Sequence, residues 1–298
     1  MKWLPITLVF ILSHPVNPVL SVRKAPTAND TSIGMELIKE TPTEKNFNTN
    51  IDHNNIDKNE AAVAFATLDV KSQDERIPDF SAYLDVKQKK RVFFEFMLPL
   101  IREANARIRN DRSDLIALSE KLESGLVLSG GERQALSQLF KRYRFKLPQM
   151  AEAQNVDELL QRVDILPASL VLAQSANESG WGTSRFATEA NNFFGIWCFR
   201  TGCGIEPSQR SKGLSHEIAA YASVQEGVFA YMHNINTHRA YRKLRAIRAE
   251  QRTLLNDLMG MELAQGLRHY SQRGEEYVRE IQQMIRANRL DDYTLPTI

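Results

Sequence analysis

Cysteine is nearly absent. Cys198 and Cys203 are the only two in 298 residues, so no disulfide framework builds this fold. Long apolar runs are missing as well. The stretch Trp3 to Leu12 covers roughly ten residues, where a membrane-spanning helix needs about 20, so a multi-span membrane protein is excluded. No sign of charge dominates: 38 basic side chains face 36 acidic ones. Duplex-binding proteins concentrate a basic excess, and this balance is too even to imply such binding, so no nucleic-acid partner is expected. Glycine occurs only 14 times, which rules out a collagen-like repeat. What remains is an ordinary globular composition, 43% hydrophobic and 25% charged, with enough chain for about two domains.

The N-terminus reads separately from the rest. Lys2 followed by Trp3–Leu12 has the charged and apolar regions of a secretory signal, and Val19 and Ser21 are small enough for a cut after Ser21. Residues 1–21 are thus expected to be a signal peptide, and the chain to be exported to the periplasm or cell envelope. Residues 22–79 carry scattered single apolar residues with no period, as in Asn46-Phe47-Asn48-Thr49-Asn50, so they read as a disordered linker.

Helical periodicity starts near Phe80. Val92, Phe93, Phe96, Met97, Leu100 and Ile101 make one apolar stripe, with Pro99 inside it expected to kink or split the helix. Ser129-Gly130-Gly131-Glu132 marks a stop and a fresh start into Leu136, Leu139, Phe140 and Tyr143. Residues 80–150 read as a helical N-terminal subdomain, and 151–298 as the domain that carries the chemistry.

The informative stretch is 163–200. Asp164 can cap a helix beginning near Pro167 and running to Glu178, where Gly180 and Gly182 break it around Trp181. Glu178 lies four residues after Gln174 and seven after Val171, on the inward-leaning face near the helix end. A carboxyl there is partly desolvated, stays protonated near neutral pH, and meets the requirement for a general acid at a glycosidic oxygen. The plainer reading is a solvated glutamate or a salt-bridge partner.

The run Leu172-Ala173-Gln174-Ser175-Ala176-Asn177-Glu178-Ser179-Gly180-Trp181-Gly182-Thr183-Ser184, followed by Asn191-Asn192-Phe193-Phe194-Gly195-Ile196-Trp197, resembles the bacterial glucosaminidase family of lysozyme-like peptidoglycan hydrolases. Its Bax-type branch is the nearest in pattern, through Trp197-Cys198-Phe199, Gly202-Cys203-Gly204 and Asn236-Thr237-His238. The resemblance implies a mainly α, α+β lysozyme-like fold in which a helical lobe and a small hairpin lobe flank a glycan cleft. It implies Glu178 as the catalytic acid and Tyr270 as a late tyrosine lying across that cleft. Gln174, Trp181, Asn191, Asn192, Trp197 and Tyr221 join it as the substrate-binding set, with Asn191 and Asn192 orienting either sugar hydroxyls or their own loop. Tyr277 is expected to pack. The substrate would be peptidoglycan glycan strands, cut after N-acetylglucosamine by a monomer that needs no cofactor. Peripheral association with the envelope would follow.

A second carboxylate is harder to place. Gly204–Pro207 and Ser215–Tyr221 alternate like the arms of a hairpin turning near Lys212-Gly213, and Glu206 and Glu217 both sit on it. The branch pattern favours Glu217 as the second catalytic group. Both can instead be solvated strand charges, and the substrate's own N-acetyl oxygen can replace a second carboxylate altogether. A lytic transglycosylase and a non-catalytic wall-binding protein stay open as rival functions. Cys198 and Cys203 enclose four residues that an oxidising compartment would close into a disulfide. One such pair, with no H-x-x-x-H helix, is a poor zinc ligand set, so no metal is expected. The basic run His238–Arg252 reads as a solvated face, or as an attraction for anionic envelope polymers.

Overall fold

The computed structural model describes residues 76–146, 153–207, 216–254 and 257–293. All of them belong to one compact unit, 50–298; the expected signal peptide, nearly all of the expected linker and the hairpin turn lie outside the described residues. In chain order the helices are α1 (Val86–Glu123), α2 (Gly130–Arg142), α3 (Ala153–Leu160), α4 (Ala168–Ser179), α5 (Arg185–Ala190), α6 (Val224–Thr237), α7 (Arg242–Leu254), α8 (Gly260–Leu263) and α9 (Glu275–Ala287). Three short strands, β1 (Trp197–Cys198), β2 (Gly204–Ile205) and β3 (Glu217–Ala219), complete a mainly α, α+β lysozyme-like architecture. Among the described residues, no helix is long and apolar enough to cross a membrane.

Local chemistry sets the helix boundaries. Asp85 caps α1 by accepting from the Gln88 N–H at 2.6 Å. Ser129 and Glu132 form a capping box at the start of α2. Pro99 does not split α1, which is assigned as one helix of 38 residues. Its position is exposed, so the carbonyl deprived of a partner faces solvent rather than the core.

Two apolar clusters hold the unit together, and neither respects a boundary at residue 150. The first half of α1 contributes Phe93, Phe94, Met97, Ile101 and Ile108 to the same core as α4, α6 and α9. Its second half joins α2 and α3 in a satellite core containing Leu115, Leu139, Phe140, Val156 and Leu159. The sheet order is β1-β3-β2, all antiparallel, with Cys198 opposite Glu217 and Gly204 opposite Ala219. The expected hairpin arms pair as β2 and β3; β1, only two residues long, carries too little alternation to be read from sequence.

Asp164 corrects the sequence reading. It caps nothing: α4 starts behind Pro167 without a side-chain cap. Asp164 is instead buried, taking Arg252 Nη2 and Nε at 2.8 and 3.0 Å, with Arg112 and Arg248 within 4 Å. The irregular segment after α3 runs through the interior from Val163 to Pro167, and its carbonyls need donors. Arg248 supplies the Asp164, Ile165 and Gln161 carbonyls, and Arg112 supplies Leu160 and Val163. The basic run is therefore not simply a solvated face, since Arg245 and Arg248 are buried. Burial brings Arg248 down to about 10 despite the neighbouring Asp164 carboxylate.

Burial pushes the Asp164 carboxyl up, but Arg248, Arg252 and Arg112 together outweigh it and hold it below the ordinary range. A depressed carboxyl contributes stability above the unfolded pKa and loses it as pH falls through the folded one. Asp164→Asn leaves buried guanidiniums without their counter-charge and is expected to lower the unfolding free energy by about 3 kcal/mol at pH 7. Denaturant melts should show that gap shrinking in acid, where wild-type Asp164 itself protonates. Equal stability of the two proteins at neutral pH would remove this role from Asp164.

Candidate active site

The site is built on α4. This helix is buried almost throughout and ends where Gly180 turns left-handed (φ 56°), its N–H and that of Trp181 both meeting the Ala176 carbonyl. Glu178, in the last turn, is partly exposed. Burial is the main influence on its carboxyl and raises the pKa. Hydrogen bonds from Tyr277 and Asn177, and the charge of Arg273, pull the other way without cancelling it. The proton is thus held to higher pH than on an ordinary glutamate.

A relay of side chains fixes that carboxyl. The Tyr231 hydroxyl donates to Gln174 Oε1, and Gln174 Nε2 donates to the Tyr277 hydroxyl at 2.9 Å. Tyr277 in turn bonds the Glu178 carboxylate. Gln174 is completely buried, so its amide positions Tyr277. Tyr231, Tyr241, Tyr270 and Tyr277 are all buried, and burial first, with the Glu178 charge among the further causes, holds their hydroxyls protonated.

Opposite the carboxyl lies the loop after α5. Asn192, also buried, bonds it at four points: its Nδ2 donates to the Ile196 and Ala219 carbonyls, and its Oδ1 accepts from the Phe194 and Ile196 N–H groups. Phe194 stacks on Tyr231 with ring centroids 4.0 Å apart, and its carbonyl accepts from Tyr270 at 2.7 Å. These contacts carry Gly195 (φ 62°) over the acid, where a Cβ would sit 3.6 Å from Glu178 Oε2. Any side chain here would strain the backbone.

Tyr270, expected to lie across the cleft, bonds the Phe194 carbonyl and stacks under Tyr277 with centroids 5.3 Å apart. Tyr277, expected only to pack, is the one that touches Glu178. Its spacing from Tyr270 was visible, but nothing in the sequence said which hydroxyl would face α4.

The other expected residues divide. Asn191 caps α5 in a left-handed conformation and donates to the Tyr221 carbonyl at 2.9 Å, so both asparagines shape the loop. Trp181 packs edge-on against Phe93 and Phe94 of α1, with Lys90 Nζ 4.8 Å from its ring centroid. Tyr221 is buried against Gly227. Trp197 is exposed on β1 and stacks on His216. Glu206 is exposed on β2's far end, where its carbonyl accepts from Arg185 Nη2 at 2.6 Å.

Glu217 has a structural task. Its Oε1 accepts from the Gly202 N–H at 2.9 Å and its Oε2 from the Gly204 N–H at 2.8 Å. It thereby clamps the loop that the Cys198–Cys203 disulfide closes. These three side chains converge in the manner of metal ligands, but the two sulfurs are bonded to each other. A surface hollow of about 370 Å³ between α1 and α2, lined by Asp111, Asp114, Glu132 and Arg142 among others, includes none of the expected site residues.

The Glucosaminidase family model, described as mannosyl-glycoprotein endo-beta-N-acetylglucosaminidase, matches residues 153–290. Protein bax of Escherichia coli (strain K12) is 35% identical over 201 residues, which cover 67% of this chain and 70% of that protein. No solved structure matches. The matched region holds Glu178, its tyrosines and the loop that carries Gly195, and a glycosidase-type enzyme with a glycan substrate accounts for that arrangement. The chain belongs to the glucosaminidase family of peptidoglycan hydrolases, in its Bax-type branch.

Proposed function

We propose that this protein is an endo-β-N-acetylglucosaminidase that cuts the β-1,4 bond after N-acetylglucosamine in peptidoglycan, with Glu178 as general acid. One observation carries the reading: a single partly exposed carboxyl has its pKa raised by burial, is held by Tyr277 and lies under a glycine. The Glu178 proton passes to the leaving glycosidic oxygen as the bond breaks. Tyr277 steadies the carboxylate that forms, and Gln174 and Tyr231 hold Tyr277 in place. No cofactor enters, and the segment 1–21 directs export.

The second catalytic group is assigned to the substrate. Both Glu217 oxygens are engaged by backbone N–H groups of the disulfide loop, which suits a clamp better than a base. The N-acetyl oxygen of the sugar attacks the anomeric carbon, and water then opens the ring formed. The same single-acid arrangement favours a lytic transglycosylase as second reading, in which a sugar hydroxyl attacks and leaves a 1,6-anhydro end.

Digestion of purified sacculi, with products identified by mass, separates these readings. New reducing-end N-acetylglucosamine is expected; anhydromuramyl ends would transfer the assignment to the transglycosylase. Glu178→Gln should slow release about 10³-fold, within the usual contribution of a positioned acid. A fully active variant would show that Glu178 is not the acid.

Tyr277→Phe removes a hydrogen bond that favours the charged form of Glu178, so the group's pKa should rise further. The alkaline limb of the rate profile is expected to move to higher pH, with about a tenfold lower maximum rate. An unmoved limb would detach Tyr277 from the acid. Glu217→Gln should cost stability while leaving the shape of that profile intact. If it abolishes cleavage in a folded protein, the second carboxylate returns to Glu217.

A further inference from the structure

Two charged groups border Tyr277. Its hydroxyl bonds the Glu178 carboxylate, and the Arg273 guanidinium stands 5.8 Å from its ring centroid. Arg273 is also the cation whose charge acts most on Glu178. The turn that carries it is fixed at both ends, because Tyr270 before it and Tyr277 after it stack with their rings 8° from parallel. Within the turn the Gly274 N–H meets the Ser271 carbonyl at 3.1 Å, and the Arg273 N–H meets Ser271 Oγ at 3.3 Å. Gly274 supplies the positive φ of 54° that closes it. Arg273 pairs with Glu280, which follows Tyr277 by one turn of α9. Both side chains of that pair are open to water, 45% and 39% exposed, so the pair is worth little and its carboxylate can be exchanged for another. The acid chemistry proposed above gives this exposed cation no task.

We infer that Arg273 receives a carboxylate of a muramyl unit beside the cut, in place of Glu280, and so selects peptidoglycan over neutral N-acetylglucosamine polymers. The inference rests on the function proposed above and narrows its substrate. In a strand that alternates N-acetylglucosamine with N-acetylmuramic acid, a cut after the first leaves a muramyl unit on either side of that sugar. Whichever way the strand runs past Glu178, a muramyl unit is therefore the neighbour that Arg273 meets. Such a unit brings an acidic group that N-acetylglucosamine lacks. This is a lactyl carboxyl, either free or joined to a peptide stem with carboxylates of its own. A guanidinium holds a carboxylate through two parallel N–H bonds, a match that a neutral polymer cannot offer. The arginine stem is long and half-open to water, so its head can turn from Glu280 to the strand while the turn stays fixed.

The test compares three substrates: peptide-bearing strands, strands stripped of stems so that the lactyl carboxyls are free, and stripped strands with those carboxyls methyl-esterified. Rates are read on the plateau below the alkaline limb of each protein's profile, where Glu178 holds its proton and the substrate carboxyls are ionised. Wild type should cleave the free-acid strands with kcat/KM about tenfold above the ester, mostly through KM, and added salt should narrow the ratio. Arg273→Gln should bring the ratio close to one, and Arg273→Lys should restore part of it. Glu280→Gln removes the internal competitor and should raise the ratio, a direction that damage to the fold would not give. Equal rates on acid and ester, with a preference for peptide-bearing strands that Arg273→Gln removes, would place the recognised carboxylate on the stem. If Arg273→Gln leaves every ratio unchanged, carboxylate recognition by Arg273 is overturned, and continued cleavage of sacculi by wild type spares the proposed function. If wild type cleaves none of the strands, the proposed function falls and takes this inference with it.

Discussion

A primary amide sealed between two phenols governs this molecule. Gln174 cannot exchange its partners for water, because no water reaches it, so the orientation of its amide dictates which hydroxyl gives and which receives. With Tyr231 donating to the oxygen and the nitrogen donating to Tyr277, the one hydrogen left on Tyr277 points to Glu178. The site's polarity is therefore settled three side chains away from the exposed carboxyl. Reversing the amide would turn the Tyr277 hydrogen toward Gln174 Oε1 and leave Glu178 without that donor.

Around this chain the fold distributes its polar side chains as internal scaffolding. Asn192 uses both ends of its amide on the loop that covers the acid, and Glu217 uses both oxygens on the disulfide loop. Arg248 and Arg112 do for the segment entering α4 what hydrogen-bonded helix or sheet would otherwise do. In each case a side chain substitutes for regular secondary structure at a place where the backbone must run irregularly to set the site.

How much of this the sequence disclosed depends on the range of the interaction involved. The helix ending at Glu178 and the break at Gly180 were legible, because capping and left-handed turns are local chemistry. The capping box at Ser129 and Glu132 was legible for the same reason. Asp164 misled because a residue shortly before a helix reads as a cap, whereas its partners come from α7, 88 residues away at Arg252. The arginines of α7 misled likewise, since charge in a helical run reads as solvent-facing until buried carbonyls are known to need it. Tyr270 and Tyr277 share a face by spacing, but the choice between them lay in the stack of two rings against α4, which no one-dimensional pattern encodes.

Phe80 lies beneath Gly182, so close that any Cβ there would overlap its ring, and α1 lines Trp181 from the other side. The loop that ends α4 thus rests on residues that precede the family stretch, Phe80 by some seventy positions. A piece cut at residue 153 would keep the Glu178 carboxyl and lose the floor under its loop.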